Sequence, residues 1–285
     1  MKGKIRSVLV EFLTSTVGMS LVALYPKKVK QLSDKGLTLV LGDNLSLSER
    51  LMRRAILKKI EKNEDHEKLA ELHKTYWAMQ GDDFVNNTEQ NLKNIHLPAY
   101  KDVLRILMDE TTKATIPFNK LVEIGTGNGS VLNYLSLEYP SIKEYIGIDL
   151  SNEQTKINQI NYKTNEKLKF VGGDVLDWLE EQEQGNFVFL TFRGVLEYFT
   201  QQQLVQFFNK LNALGNIIFF AIEPTDADHD YKENPNSKIY GVEGSFSHNY
   251  VQLFKDSKFD IWYSDQKNEV GHPYLIKIVG AKNFE

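Results

Sequence analysis

After Pro117 the chain alternates short apolar runs with runs of helical spacing, and no other feature constrains its fold as much. The runs 120–124, 145–148, 168–171, 187–192 and 217–222 have strand length, and 131–138, 153–162, 175–181 and 201–214 lie between them with helical periodicity. Strand, helix and strand in succession build right-handed βαβ units and a parallel sheet. The rhythm breaks at the end. Residues 246–255 read as a helix, but 259–263 and 274–279 are strands joined by a loop, which predicts an antiparallel pair at the sheet edge. The predicted class is α/β: a doubly wound, seven-stranded, mostly parallel sheet with an antiparallel C-terminal hairpin.

Upstream the texture is helical. Leu51, Met52, Ala55, Ile56 and Ile60 share one face behind Ser48 as a cap; Leu69, Leu72, Tyr76, Trp77 and Met79 mark a second helix, and Tyr100 to Met108 a third after Pro98. The expected division is 1–62 as a basic helical extension, 63–117 as a helical lid and 118–285 as the sheet domain. Charge follows it. Residues 1–62 hold thirteen Lys and Arg against five Asp and Glu, so +8 of a net −4 sits there and −12 on the rest. An acidic body disfavours nucleic-acid binding, which needs a positive field. From Val8 to Tyr25 the only charge is Glu11, between basic flanks. Its Thr, Ser and Gly content argues against a spanning helix, leaving a packed helix, a protein contact or a segment lying on an anionic membrane. The chain has no cysteine, which excludes disulfides, thiolate metal sites and a thiolate nucleophile, and fits a cytoplasmic location.

The first strand runs into Glu123-Ile124-Gly125-Thr126-Gly127-Asn128-Gly129-Ser130. Glycines there let the backbone turn sharply and approach a ligand at the carboxyl edge of a sheet. The dinucleotide fingerprint wants its third glycine where Ser130 stands. Glu123, at the strand end, would repel a pyrophosphate but hold an ammonium. Asp149 ends the second strand, where a carboxylate accepts from ribose hydroxyls, and Asp174 closes the third, where one accepts from an adenine amino group. An adenosine with a cationic amino-acid end fits this set. A tight connection with two capping aspartates, and a NAD-dependent dehydrogenase, are the rival readings.

This arrangement over about 118–282 resembles the class I S-adenosylmethionine-dependent methyltransferases, with Glu123 to Gly129 as the glycine motif and Asp149 as the ribose acid. The resemblance implies a Rossmann-like sheet, S-adenosylmethionine as cofactor, and a transferase (EC 2.1.1) acting on a small or medium-sized metabolite at O or N. A non-catalytic sensor or scaffold remains the alternative from another class. Cofactor contacts are expected from Glu123, Gly125, Thr126, Gly127, Asn128, Gly129, Asp149, Leu150, Asp174, Val175, Phe192 and Arg193. Candidate catalytic groups are His248, at a helix N-terminus that would lower its pKa, with Glu197 and Glu223. Tyr76, Trp77, Arg193, Tyr198 and His248 are the candidate substrate contacts, with Phe84, Asp82 and Asp83 close to the aromatic pair. The run 225–245 reads as a long polar loop, and no catalytic metal is expected, although His229 stands among acids in it.

Overall fold

A computed structural model describes residues 2–37, 45–268 and 274–285, with the backbone alone described for 2–7 and 80–87. It divides into two compact units, Met1–Met79 with Val242–Gly244, and Gln80–Gly241 with Ser245–Glu285. The division falls at 79/80, whereas composition suggests 62 and 117.

The first unit holds α1 (Lys2–Leu13), a π-helical turn (Thr14–Gly18), α2 (Met19–Leu24), α3 (Pro26–Asp34), α4 (Leu47–Lys62) and the start of α5 (His66–Asn91). Gly18 permits close packing on α4, since a Cβ there would stand 2.7 Å from the Leu51 carbonyl oxygen. Pro26 cannot donate an amide and forces Tyr25 out of helical geometry (φ −122°, ψ 61°). Val8–Leu24 and Pro26–Asp34 consequently meet at 99°, and no single described helix is long and apolar enough to cross a membrane. The α4 cap is Ser46, not Ser48. Ser46 Oγ accepts from the Glu49 amide at 3.3 Å and Glu49 Oε2 accepts from the Ser46 amide at 2.8 Å, a reciprocal box that needs its Glu three residues after the cap.

The second unit holds α6 (Leu97–Lys113), whose Pro98 stands in the first turn, and then the sheet. Its strands are β1 (Lys120–Ile124), β2 (Glu144–Asp149), β3 (Leu168–Gly172), β4 (Gly185–Phe192) and β5 (Gly215–Asp226), with β8 (Asp260–Asn268) and β9 (Tyr274–Lys282). They lie in the order β3-β2-β1-β4-β5-β9-β8. The first five are parallel; β9 runs antiparallel to both β5 and β8, so the C-terminal hairpin turns back into the sheet. Helices α7 (Ser130–Glu138), α8 (Asn152–Asn161), α9 (Val175–Glu180) and α10 (Gln201–Leu214) make the crossovers. One face packs Phe189, Phe207, Phe208, Phe219 and Phe254, the other Tyr100, Leu104, Leu132, Leu190 and Phe220. Each such ring buried contributes about 1.5–3 kcal/mol.

The region after β5 departs from expectation. β5 continues to Asp226, and the supposed loop forms a small antiparallel hairpin, β6 (Lys238–Tyr240) with β7 (Ser245–Ser247). The last helix, α11 (Tyr250–Asp256), starts later than 246 because Ser245-Phe246-Ser247 pairs as a strand and Asn249 caps, its side chain accepting from Gln252. Strand order reverses between β2-β1 and β4-β5. Their carboxyl ends therefore flank the crevice that doubly wound sheets use for ligands.

Candidate functional site

At the end of β1 the chain makes its glycine turn with Gly125, Gly127 and Gly129 all at positive φ (66°, 50° and 71°), a region that L side chains avoid. Two of them are also sterically obligatory. A Cβ on Gly125 would stand 2.6 Å from Val195 Cγ2, and one on Gly129 2.7 Å from Phe170 Cε1. Gly127 is fixed electrostatically: its amide donates to Asp149 Oδ2 at 2.8 Å, and its carbonyl accepts from Asn158 Nδ2 at 2.6 Å. Asn128 Oδ1 accepts from the Ser130 amide at 3.0 Å, opening α7, while the buried Asn128 Nδ2 has no hydrogen bond among the described residues. Beneath the turn Glu123 is buried and accepts from Thr126 Oγ1 at 2.7 Å; burial, with the nearby Asp149 charge adding to it, raises its pKa to about 8.

Asp149 Oδ1 accepts from the Ser151 amide at 2.9 Å, so each of its oxygens holds one backbone amide and keeps lone pairs for a ligand. Burial raises its pKa against those two bonds. Leu150, half-buried, follows it. Asp174 caps α9, its Oδ1 accepting from the Leu176 amide at 2.8 Å. Asp174 is thus the N-cap of α9 through one oxygen, beside Gly173, whose missing Cβ would meet nothing within 4 Å. Val175 points into the core under the sheet rather than toward the crevice, and Phe192 is also buried, edge-on to Tyr100.

The segment after β4 carries Arg193, Glu197 and Tyr198. Arg193 has φ 64°, and its amide donates to the Ile222 carbonyl at 2.6 Å. Its Nη1 lies 3.3 Å from Tyr100 Oη. Glu197 is buried in a short 3-10 turn (Leu196–Tyr198) that also contains half-buried Tyr198, and Glu197 Oε2 accepts from Tyr240 Oη at 2.6 Å. Glu223, a candidate catalytic group, lies inside the sheet instead of at an open position. It is fully buried within β5, with Oε2 accepting from the Val195 and Leu196 amides at 2.9 and 3.2 Å. It fixes the post-β4 turn, and burial pushes its pKa to about 7.

His248 also departs from expectation. It precedes the Asn249 cap, is fully buried, and its Nδ1 lies 2.6 Å from Ser237 Oγ. Burial pushes its pKa to about 3, so it is neutral at ordinary pH and sealed from solvent. His229 has both ring nitrogens engaged, by Ser247 Oγ at 2.9 Å and the Asn234 carbonyl at 3.0 Å. Among the described residues no group of three His, Asp or Glu is arranged to hold a metal. Tyr76 and Trp77 belong to the first unit, where their rings pack edge to face and Tyr76 is buried against Gly36. The side chains of Asp82, Asp83 and Phe84 lie outside the described residues. Asn158, Ser151 and Tyr240 went unseen in the sequence, because polar residues scattered in helices, caps and short strands form no motif until the fold assembles them.

A doubly wound sheet with a glycine turn and an acid at the end of β2 is the arrangement in which α/β domains commonly hold a nucleoside. Residues 121–214, about a third of the chain, match the profile of the family described as a methyltransferase domain. With the strand order and the turn, this match makes residues 121–214 of the second unit similar to a methyltransferase domain. No curated protein matches the chain significantly. Similar solved structures include the [4+2]-cyclase SpnF (10% identity, 64% of this chain and 79% of that chain, TM-score 0.49). Others are the magnesium protoporphyrin IX methyltransferase of Synechocystis PCC 6803 with bound SAM (14%, 85% and 100%, 0.45) and the geranyl diphosphate C-methyltransferase of Streptomyces coelicolor A3(2) (12%, 63% and 78%, 0.45). Likeness at this level carries no inference about what this chain binds.

The residues present fit a phosphate-free adenosine cofactor. The central amide of the turn, which a pyrophosphate would need, is already given to the carboxyl of Asp149, which flanks the turn. Asp149 keeps acceptor capacity for ribose hydroxyls, and Gly173 leaves open space beside Asp174.

Proposed function

We propose that this protein is a methyltransferase that uses S-adenosylmethionine on a small or medium-sized metabolite, at oxygen or nitrogen. The observation that carries the reading is the Gly127 amide bonded to Asp149 between two left-handed glycines. It favours a ribose held by an acid over a pyrophosphate held by amides. When bound, the cofactor supplies an electrophilic methyl group whose carbon passes to the acceptor as its bond to sulfur breaks.

The chain's own residues align and shield. Glu123 faces the ammonium end, Asp149 the ribose and Asp174 the adenine, while Gly125 and Gly129 keep the backbone low enough for contact. The post-β4 turn, clamped by Glu223, forms the wall next to Gly125 through Val195. Alignment of this kind supplies most of what an in-line displacement asks of a protein. Glu197, with Tyr240 as its hydrogen-bond donor, is the group assigned to accept the acceptor's proton, in place of the sealed His248 and the amide-bound Glu223. Burial of these acid–base groups is also what favours the second reading, a cofactor-binding protein without turnover. Incubation of the protein with labelled S-adenosylmethionine and metabolite extracts, followed by mass spectrometry, separates the two: a methylated metabolite with stoichiometric S-adenosylhomocysteine supports transfer, and bound but unconsumed cofactor supports the sensor.

The first unit supports a further part of the proposal, contact with an anionic lipid surface. Val8, Leu9, Phe12, Val17, Leu24 and Tyr25 are all exposed along one short stretch, and Lys27, Lys28 and Lys30 of α3 follow it in the chain. Apolar side chains with a basic surround match the acyl boundary and headgroups of such a surface.

A further inference from the structure

Helix α8 breaks the rule that a crossover helix obeys. Its buried face should be apolar, yet the residues it buries, from its cap onward, are Ser151, Gln154, Thr155 and Asn158, at helical spacing. Asn158 is 0% exposed and Gln154 2%, while Ile160 on the same helix is 68% exposed. A side-chain amide taken out of water costs free energy unless it is hydrogen-bonded, so an inverted stripe of this kind is explained by what it bonds.

The bonds close a circuit. Asn158 Nδ2 donates to the Gly127 carbonyl at 2.6 Å, and Gln154 Nε2 donates to Asn158 Oδ1 at 2.8 Å. The Gln154 amide donates to Ser151 Oγ at 3.2 Å and the Ser151 amide to Asp149 Oδ1 at 2.9 Å; the Gly127 amide, donating to Asp149 Oδ2 at 2.8 Å, completes the path. It joins the glycine turn, the end of β2 and the first two turns of α8. A carbonyl only accepts, so Asn158 must turn its nitrogen to Gly127 and its oxygen to Gln154, which must donate in turn. Gln154 Oε1 has no hydrogen bond among the described residues, so this side chain is held by its donor end. Gly127, at φ 50°, is thereby gripped at its amide by Asp149 and at its carbonyl by Asn158, and Asp149 is gripped at both oxygens.

We infer that Asn158 and Gln154 are positioning residues for the cofactor's ribose, acting through Gly127 and Asp149. The inference rests on the reading of Asp149 as the ribose acid of an S-adenosylmethionine site. Two probes test it by calorimetry on the full-length protein: S-adenosylhomocysteine, and its analogue lacking the ribose 2′-hydroxyl. The wild type should bind both and prefer the first about tenfold, the scale of a hydrogen bond to a charged group. Asn158→Leu should weaken S-adenosylhomocysteine about tenfold and Gln154→Met about threefold, the scale of one neutral hydrogen bond lost. Both variants should weaken the 2′-deoxy analogue less, so that the preference for the hydroxyl shrinks. A merely structural role would weaken both probes alike and leave the preference as it is, which overturns the inference. Circular dichroism checks folding, and Gln154→Met, one bond further from the glycine turn, carries the test if Asn158→Leu unfolds. Unchanged affinity in a folded variant removes that residue from the circuit's function. A wild type that binds neither probe overturns the S-adenosylmethionine reading, and the positioning role with it.

Discussion

Glu123 shows how one residue serves two ends. Its carboxyl is buried, accepts a single side-chain hydrogen bond from Thr126, and holds its proton up to about pH 8. A folded pKa above the unfolded value of 4.5 means that the native state binds more protons, so its contribution is complete below pH 4.5 and is lost as pH rises through about 8. Glu223 acts in the same direction with a folded value of about 7. His248 acts oppositely, because its value falls from 6.5 to about 3 and the unfolded state takes the proton between them. Above about pH 7 Glu123 dominates. Chemical denaturation should show the wild type losing about 1 kcal/mol more than Glu123→Gln from pH 7 to 8, at most about 1.4 kcal/mol per pH unit for one proton, with only the smaller Glu223 loss left in the variant. A wild type and variant with parallel curves would mean that Glu123 is already ionised in the fold.

Among the elements, those of the parallel sheet were readable because each obeys one strong rule. β1 to β5 are continuous apolar runs, since crossover helices cover both faces, and the helices between them keep their apolar stripe. The Ser245–Ser247 strand escaped because three residues leave no measurable period, and its hairpin partner lies inside a stretch of polar turn residues. The strand places His248 in a sealed position before the Asn249 cap and not at the helix N-terminus expected of it. The α4 cap failed for a smaller reason, a choice between two serines that Glu49 decides. The N-terminal helices carry their own prediction. Full-length protein should co-sediment with phosphatidylserine vesicles at low salt, less at high salt, and not with phosphatidylcholine vesicles alone. Phe12→Glu with Leu24→Glu should reduce that binding at least tenfold, and wild-type protein left in the supernatant with anionic vesicles would remove the lipid contact from the account.

On the scale of the whole molecule, charge and chemistry are segregated along the chain. The +8 of residues 1–62 belongs to the helical first unit, and the acidic remainder contains the glycine turn and its acids. The candidate glycine turn and strand-end acids were legible because they are local in sequence and fixed by the sheet. The Glu197–Tyr240 pair was not, because its members come from a turn after β4 and a short hairpin, and only tertiary packing brings them together.

The central claim is that the turn and Asp149 bind S-adenosylmethionine, and calorimetry on full-length protein addresses it most directly. S-adenosylhomocysteine should bind and NADH should not. Asp149→Ala, folded by circular dichroism, should weaken S-adenosylhomocysteine by about 1.5–3 kcal/mol, the range for hydrogen bonds to a charged group. Tighter binding of NADH, or unchanged affinity in a folded Asp149→Ala protein, would contradict the account.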